Sequence, residues 1–184
     1  MEALGETCAC GSGLIHCYTG DGKGKSTAAV GLALRVAGSG KKVLFSQFLK
    51  DGSSSELAVL RELPGVLCRS MDKPQGFYRT LSEAQKQLLQ AETRKYFLAV
   101  REEAAREAVD LLVLDEFMAA YRLSLIDQRD ATEYLRRKPE KLELVLTGRD
   151  APEEITELCD YVTECRKRKH PYDRGIPARR GIEY

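Results

Sequence analysis

The stretch TGDGKGKST, residues 19–27, constrains the fold more than any other part of this chain. Three glycines alternate with polar residues and then give way to a lysine, a serine and a threonine. Glycine adopts backbone geometries that other residues avoid, so such a loop can curl its amide N–H groups around an anion. A helix that starts directly after the loop adds free N–H groups and a positive dipole end. The stretch therefore predicts a phosphate-binding loop between a strand and a helix.

The loop departs from the general pattern G-x-x-x-x-G-K-[ST] at its first position, where Thr19 stands in place of glycine. The alternative is a glycine-rich turn without a ligand, but such a turn does not need Gly-Lys-Ser at its helical end. We therefore expect Lys25 to bring a full charge to the phosphates. The hydroxyl of Ser26 is expected to ligate a magnesium ion, and Lys23 adds a second cation inside the loop.

A second polar element follows an apolar run, in residues 111–116 with the sequence LLVLDE. In P-loop folds, a carboxylate at the carboxyl end of such a strand meets the metal or its water. Two acids that end a strand can also be ordinary solvated residues. Adjacent residues on a strand face opposite ways, so only one acid is expected to contact the metal directly. The spacing leaves open whether that acid is Asp115 or Glu116.

Short apolar runs alternate with helical patterns along the rest of the chain, and Ser82 with Gln85 forms a capping box. This alternation predicts an α/β, single-domain, P-loop NTPase-like fold, with a mostly parallel sheet covered by helices on both faces. Ligands of such sheets bind at the carboxyl ends of the strands. The predicted strands are 14–18, 43–48, 66–69, 110–115, 142–147 and 161–163, and the predicted helices are 25–37, 82–108, 126–138 and a short one after Pro152.

The chain has 184 residues, enough for one domain with a proper core. We expect residues 1–13 to be a flexible tail and residues 14–184 to form the domain. A formal net charge of +1 gives no global field for nucleic acid or an anionic membrane, and no apolar run approaches a membrane span. The first dozen residues do not resemble a signal peptide, so we expect a cytoplasmic protein. The six cysteines form no C-x-x-C pair, which favours free thiols over a metal or redox site.

Several motifs, in this order, resemble the P-loop family of ATP:corrinoid adenosyltransferases, which act on cob(I)alamin or cob(I)yrinic acid a,c-diamide. The resemblance covers nearly all of residues 14–184, and threonine ahead of a shortened glycine loop is this family's own form. The motifs are IHCYTGDGKGKSTAAVGLALRVAGSGKKV, QFLK (47–50), LLVLDE, LTGRDAP (146–152), VTE (162–164), KHPYDRGI (169–176) and RRGIEY.

This resemblance implies transfer of the 5′-deoxyadenosyl group of ATP to the Co(I) of a reduced corrinoid, with release of triphosphate, in adenosylcobalamin biosynthesis or salvage. It implies that the γ-phosphate lies deep in the loop. It also implies a metal, Mg²⁺ or Mn²⁺, on Ser26 and Glu116, and catalytic roles for Lys25, Glu116 and Phe77. The implied nucleotide-binding residues are Gly20, Asp21, Gly22, Lys23, Gly24, Lys25, Ser26, Thr27 and Arg149.

The resemblance further implies aromatic residues that face the corrinoid and help to strip a ligand from Co(II). Phe77 and Tyr78 match that stretch, whereas Arg79 stands where relatives have tryptophan, and the chain contains no tryptophan. The alternative is a loop aromatic packed into the core. A homodimer and an electron-donating reductase for Co(II) are implied as partners.

Weaker signals leave alternatives open. The basic run 166–170 is either a solvated strip or part of a C-terminal segment that folds over the nucleotide or meets the corrinoid. His16 is expected to be a core or sheet residue. Two other functions fit a phosphate loop: a small P-loop kinase or NTPase that cleaves a phosphoanhydride, and a non-catalytic nucleotide or corrinoid carrier.

Overall fold

A computed structural model describes residues 12–71 and 78–183 and contains one six-stranded sheet. Every strand pair in the sheet is parallel, and the strand order is β3-β2-β4-β5-β1-β6. The predicted α/β fold is confirmed. The predicted tail lies mostly outside the described residues, so a domain boundary after residue 13 stays a prediction. The strands are β1 Ile15–Thr19, β2 Val43–Gln47, β3 Val66–Ser70, β4 Leu111–Asp115, β5 Glu143–Thr147 and β6 Tyr161–Glu164.

Among the described residues, six helices connect these strands, and two of them were not predicted from the sequence. The unpredicted helices are the six-residue α2, Ser55–Leu60, and the six-residue α4, Phe117–Arg122. Both are too short to show a helical period, and α4 continues directly from an apolar strand. The other helices are α1 Lys25–Gly38, α3 Glu83–Arg106, α5 Gln128–Arg136 and α6 Glu153–Thr156, with short 3₁₀ turns at Tyr78–Thr80 and Pro171–Arg174. No helix within the described ranges is long and apolar enough to cross a bilayer.

The start of α3 follows from its capping box. The Ser82 hydroxyl accepts a hydrogen bond from the Gln85 N–H at 3.3 Å, and the Gln85 side chain accepts one from the Ser82 N–H at 2.9 Å. Two amide groups that the first helical turn leaves unpaired are thereby satisfied. The predicted N-terminus of this helix is confirmed.

The strand β4 is buried on both faces, which explains its continuous apolar sequence. Leu111 and Val113 pack into a core beneath α1 and α2, whereas Leu112 and Leu114 pack into a larger core beneath α3, α4 and α5. Alternate side chains of β4 thus pack into two separate cores, one on each face of the sheet. Helices cover both faces of the sheet at its centre, as predicted.

The edge strand β6 is different from the central strands, because all of its residues are exposed. Within ranges 12–71 and 78–183 it pairs only with β1, and it ends the sheet on that side. Tyr161 and Val162 point to opposite faces of the strand and are 51% and 50% exposed. The covered sheet therefore extends only as far as β1.

The carboxyl ends of the parallel strands lie along one edge of the sheet, and polar residues end the four adjacent strands β2, β4, β5 and β1 there. Gln47 ends β2 and is paired in register with Asp115 at the end of β4. Thr147 ends β5, the next strand along. Thr19 ends β1 and leads into the glycine loop. This edge positions the site described below.

Candidate active site

The glycine loop lies between β1 and α1, as the sequence predicts. Gly20 and Gly24 have φ angles of 100° and 123°, which side-chain-bearing residues rarely adopt. Helix α1 begins at Lys25, and no side chain in the described part of the chain caps its first N–H groups. Uncapped amides at a helix N-terminus form a ready anion site.

Lys25 spans this loop with its ammonium group. Its Nζ donates hydrogen bonds to the carbonyl oxygens of Gly20 at 2.8 Å and Gly22 at 2.7 Å. Burial lowers the pKa of Lys25, and the nearby Arg149 charge lowers it further. Two cations that repel each other beside an anion-binding loop favour the entry of a polyanion.

Asp115 is the centre of the polar network and is fully buried. Its Oδ1 accepts hydrogen bonds from the hydroxyls of Ser26 and Thr147, both at 2.7 Å. Its Oδ2 accepts from Gln47 Nε2 at 3.2 Å and Lys50 Nζ at 2.8 Å. A buried carboxylate needs such donors, because burial of an unpaired charge is costly. The Ser26 hydroxyl is therefore oriented by Asp115, and its lone pairs point elsewhere.

Three members of this network, Gln47, Lys50 and Thr147, stand within motifs of the sequence but received no predicted role. A signal was present, because a polar residue ends each of the apolar strands β2, β4 and β5. Strand order was needed to use it, since only the sheet register places β2 and β5 on either side of β4.

Glu116 follows Asp115 in a left-handed turn with a φ of 61°. Its N–H donates to the Thr147 hydroxyl at 3.0 Å, so the backbone rather than the side chain joins the network. Burial raises the pKa of Glu116, and the adjacent Asp115 charge raises it further. Three cations oppose this shift, namely Lys50, Lys25 and Arg149. The structure thus brings the predicted site residues Lys25, Glu116 and Arg149 into one electrostatic neighbourhood.

The segment after β6 packs directly against the glycine loop. The Cys165 N–H donates to the Thr19 carbonyl at 2.8 Å, and the Cys165 carbonyl accepts from the Gly22 N–H at 2.7 Å. The Lys167 N–H donates to the Asp21 carboxylate at 3.0 Å. The beginning of the basic run 166–170 is therefore attached to the loop and is not a remote surface strip.

A cavity of about 600 Å³ lies beside the loop. It is bounded by the start of α1, the connection from β2 to α2 and the C-terminal residues 181–183. A second, smaller cavity of about 410 Å³ is lined by the basic run and shares Lys23 with the first. Charged groups that line the larger cavity are Lys23, Lys50, Asp51, Glu56 and Glu183.

Of the two predicted corrinoid-facing residues, the structure describes Tyr78. Phe77 lies outside the described residues. Tyr78 is half-buried in the 3₁₀ turn before α3, packs against the larger core, and has the Lys86 ammonium 5.6 Å from its ring centroid. His16 lies in β1, with Nε2 2.5 Å from a Glu143 oxygen and its ring stacked on Tyr161, so it is a sheet residue as expected.

A family model described as ATP:corrinoid adenosyltransferase BtuR/CobO/CobP matches residues 11–184. The chain belongs to this family. The match includes the glycine loop, the acidic end of β4 and the C-terminal segment, so it takes in every element that forms the site. The family suggested by the sequence motifs is therefore confirmed.

Curated corrinoid adenosyltransferases are similar to the chain over most of its length. A corrinoid adenosyltransferase of Sinorhizobium sp is 33% identical over 174 residues, which cover 94% of this chain and 80% of the relative. One from Escherichia coli (strain K12) is 34% identical, with 94% and 86% covered. Corrinoid adenosyltransferase CobA of Salmonella typhimurium is 33% identical, with the same coverage. Each of these alignments therefore covers nearly the whole chain.

Among solved structures, the fold is similar to that of EssC (ATPases 2 and 3) from Geobacillus thermodenitrificans. The TM-score is 0.51 and the sequence identity is 15%, over 92% of this chain. The chain spans only 35% of the EssC chain. At this identity the similarity supports the P-loop ATPase-like fold alone.

Proposed function

We propose that this member of the corrinoid adenosyltransferase family transfers the 5′-deoxyadenosyl group of ATP to the Co(I) of a reduced corrinoid and releases triphosphate. One observation carries the proposal. The chain contains a glycine loop with Lys25 and with a Ser26 hydroxyl that is hydrogen-bonded to Asp115, and 94% of the chain aligns with a corrinoid adenosyltransferase. Cobalamin and cobyrinic acid a,c-diamide are both proposed as acceptors.

The loop is proposed to hold the triphosphate as the leaving group. The residues assigned to it are 20–27, with Arg149 as a further cation. Negative charge grows on the triphosphate as the bond to C5′ breaks. Each hydrogen-bond donor that is already in position lowers the free energy of this transition state by about 3–4 kcal/mol. Lys25 and the uncapped amides of α1 are such donors.

A divalent metal fits the residues beside the loop. Mg²⁺ prefers oxygen ligands and keeps several of its waters. The Ser26 hydroxyl and the Glu116 carboxylate are proposed to hold Mg²⁺ or Mn²⁺, which would neutralise charge on the triphosphate when bound. Gln47 supports the fit: its Oε1 is buried near Asp115 and, within the described residues, accepts no hydrogen bond, so it is free to accept from a metal-bound water.

The reaction needs no general base from the chain, because Co(I) is itself a strong nucleophile. Alignment of C5′ with cobalt is the main requirement, and positioning of this kind contributes about 7–11 kcal/mol. Phe77 and Tyr78 are proposed to face the corrinoid, where they would help to remove an axial ligand from Co(II). Alanine at Phe77 should then impair an assay begun from Co(II) far more than one begun from Co(I).

The surroundings of the enzyme are proposed from the family resemblance and from its thiols. We propose a homodimer in the cytoplasm that is served by an electron-donating reductase for Co(II). The described cysteines at positions 17, 68, 159 and 165 carry free thiols, as cytosolic proteins usually do.

The decisive experiment mixes the protein with ATP, magnesium and chemically reduced cobalamin. The expected products are a light-sensitive alkyl-cobalt spectrum and intact triphosphate. Release of orthophosphate or diphosphate without a cobalt–carbon bond would instead indicate a small kinase or NTPase. Binding of both substrates without turnover would indicate a carrier.

A further inference from the structure

The carboxylate of Asp115 has no acceptor position left for a metal ion. A carboxylate offers about four lone-pair sites. Ser26 and Thr147 occupy those of Oδ1, and Gln47 and Lys50 occupy those of Oδ2. Asp115 therefore takes no metal while all four donors remain, and a metal on the proposed ligands Ser26 and Glu116 would lie close to the Lys50 ammonium, which Glu116 also attracts.

Of the four donors, Lys50 is the one with freedom to leave. Gln47 and Thr147 are buried at the ends of strands, and Ser26 is fixed in the first turn of α1. Lys50 lies beyond the end of β2, its side chain is 29% exposed, and it lines the cavity of about 600 Å³. Its side chain therefore contacts both Asp115 and the cavity, so its ammonium is the donor within reach of a ligand there.

Lys50 also carries the charge that a metal would otherwise supply. Asp115, Glu116 and Glu56 all act electrostatically on its ammonium. Burial lowers the pKa of Lys50, but these acids outweigh burial and the pKa is raised. Within residues 12–71 and 78–183, no group of three or more His, Cys, Asp or Glu residues is arranged to hold a metal. The acids around Lys50 thus form no three-ligand cluster among the described residues, and the lysine ammonium lies in their midst.

We propose that Lys50 is an exchangeable counter-ion, which excludes the metal from the free protein and moves to a phosphate oxygen when the metal–triphosphate complex binds. The proposal rests on the proposed function, since it concerns the same nucleotide site. The proposal fixes the order of binding: the metal binds together with the triphosphate and not before it. The displaced ammonium then adds a further cation, besides Lys23, Lys25 and Arg149, to the leaving group.

The first test measures Mn²⁺ binding without any nucleotide, by the EPR signal of the free ion. Lys50→Met should bind Mn²⁺ about tenfold more tightly than the unchanged protein, because a competing charge is gone from a partly buried site. Mn²⁺ alone should also raise the melting temperature of Lys50→Met and leave that of the unchanged protein where it was. Equal Mn²⁺ affinity in the two proteins would overturn the exclusion of metal by Lys50.

The matched control is Lys86→Met on α3, where Lys86 pairs with Glu83 at 2.7 Å on the surface. Its Mn²⁺ affinity should equal that of the unchanged protein. Should Lys50→Met fail to fold, as judged by circular dichroism, Lys50→Gln keeps a hydrogen-bond donor without the charge and should shift Mn²⁺ affinity in the same direction. An unshifted affinity in Lys50→Gln would equally overturn the proposal.

The second test measures binding of tripolyphosphate in the presence of saturating Mn²⁺. Lys50→Met should bind it about tenfold more weakly, because one ammonium contact is lost, whereas Lys50→Arg should stay within a few-fold of the unchanged protein. Undiminished binding to Lys50→Met would overturn the movement of Lys50 to the phosphate. Neither test contains a corrinoid, so failure of adenosyl transfer would leave both results standing, and the two hypotheses can fail separately.

Discussion

At the scale of single residues, two adjacent carboxylates at the end of β4 differ because of one backbone turn. Asp115 continues the strand inward and accepts hydrogen bonds from four side chains. Glu116 enters a left-handed turn, and only its N–H joins that network. The Glu116 carboxylate is thereby left available for a metal, and it lies in the electrostatic field of Lys50, Lys25 and Arg149. This division supports Glu116 as the direct metal ligand and Asp115 as the residue that orients Ser26.

Lys25 should contribute to the rate and little to the fold. Alanine at this position removes the ammonium that spans the loop, and we expect the transfer rate to fall about 10²- to 10³-fold, as for loss of one preorganised donor. The measurement is single-turnover transfer from chemically prepared Co(I), with circular dichroism as the check on folding. Lys41→Ala, at an exposed position after α1, should keep full activity. Full activity in Lys25→Ala would reject the role assigned to it.

Glu116 should give the free protein a characteristic pH dependence of stability. Its pKa is raised in the folded state, so the folded protein binds this proton more tightly than the unfolded chain does. The free energy of unfolding should therefore fall as pH rises through the range above the ordinary value of 4.5. Glu116→Gln lacks this proton and should gain stability relative to the unchanged protein over the same range. Urea unfolding without metal or nucleotide measures the free energy of unfolding at each pH. If this free energy changed with pH in the same way in the two proteins, the role of Glu116 in the pH dependence would be contradicted.

At the scale of elements, the glycine loop and the segment after β6 pack so closely that each restricts the residues of the other. A Cβ at Gly22 would lie 2.7 Å from the Cys165 carbonyl oxygen and 2.8 Å from the Arg166 carbonyl carbon. Both contacts are with backbone, which cannot rotate away. Gly22 is therefore required by packing as well as by any ligand.

Two glycines provide a matched test of this packing. Gly22→Ala should destabilise the protein by about 1–3 kcal/mol, as overpacking does. Gly31 lies within α1 with nothing near its Cβ position, so Gly31→Ala should stabilise the protein by about 0.5–1 kcal/mol through its better helix propensity. Urea unfolding measures both. A neutral Gly22→Ala would mean that the segment after β6 is not held against the loop.

The sequence predicted the elements whose patterns are long or clearly bounded, and missed the two six-residue helices α2 and α4. All six strands follow from apolar runs between glycine, proline or charged residues, and α3 follows from its capping box. The run DGSSS at 51–55 indicates a loop, which hides the start of α2. In the site, the loop and its lysine were evident from local spacing. Contacts of Asp115 with Gln47, Lys50 and Thr147 were not, because they depend on which strands are neighbours.

At the scale of the whole molecule, three segments distant in sequence line one cavity, so a ligand there should stabilise the entire fold. At about 100 times its dissociation constant, ATP with Mg²⁺ should add about 2.7 kcal/mol. For a domain of this size that corresponds to a rise in melting temperature of about 5–10 °C. Thermal unfolding monitored by circular dichroism measures it, with Mg²⁺ alone and Lys25→Ala with both ligands as controls. No rise with ATP and Mg²⁺ would argue against a nucleotide site in this cavity.

The uncovered strand β6 has a consequence for handling the protein. A sheet that ends in an exposed strand offers its unpaired backbone groups to any extended chain nearby. Half-exposed Tyr161 and Val162 add apolar contact on the two faces of this strand. The charged residues nearby are Glu164, which ends the strand, and Arg166, which follows it. High concentration and high salt, which screens those charges, are therefore the conditions under which purified material should precipitate first.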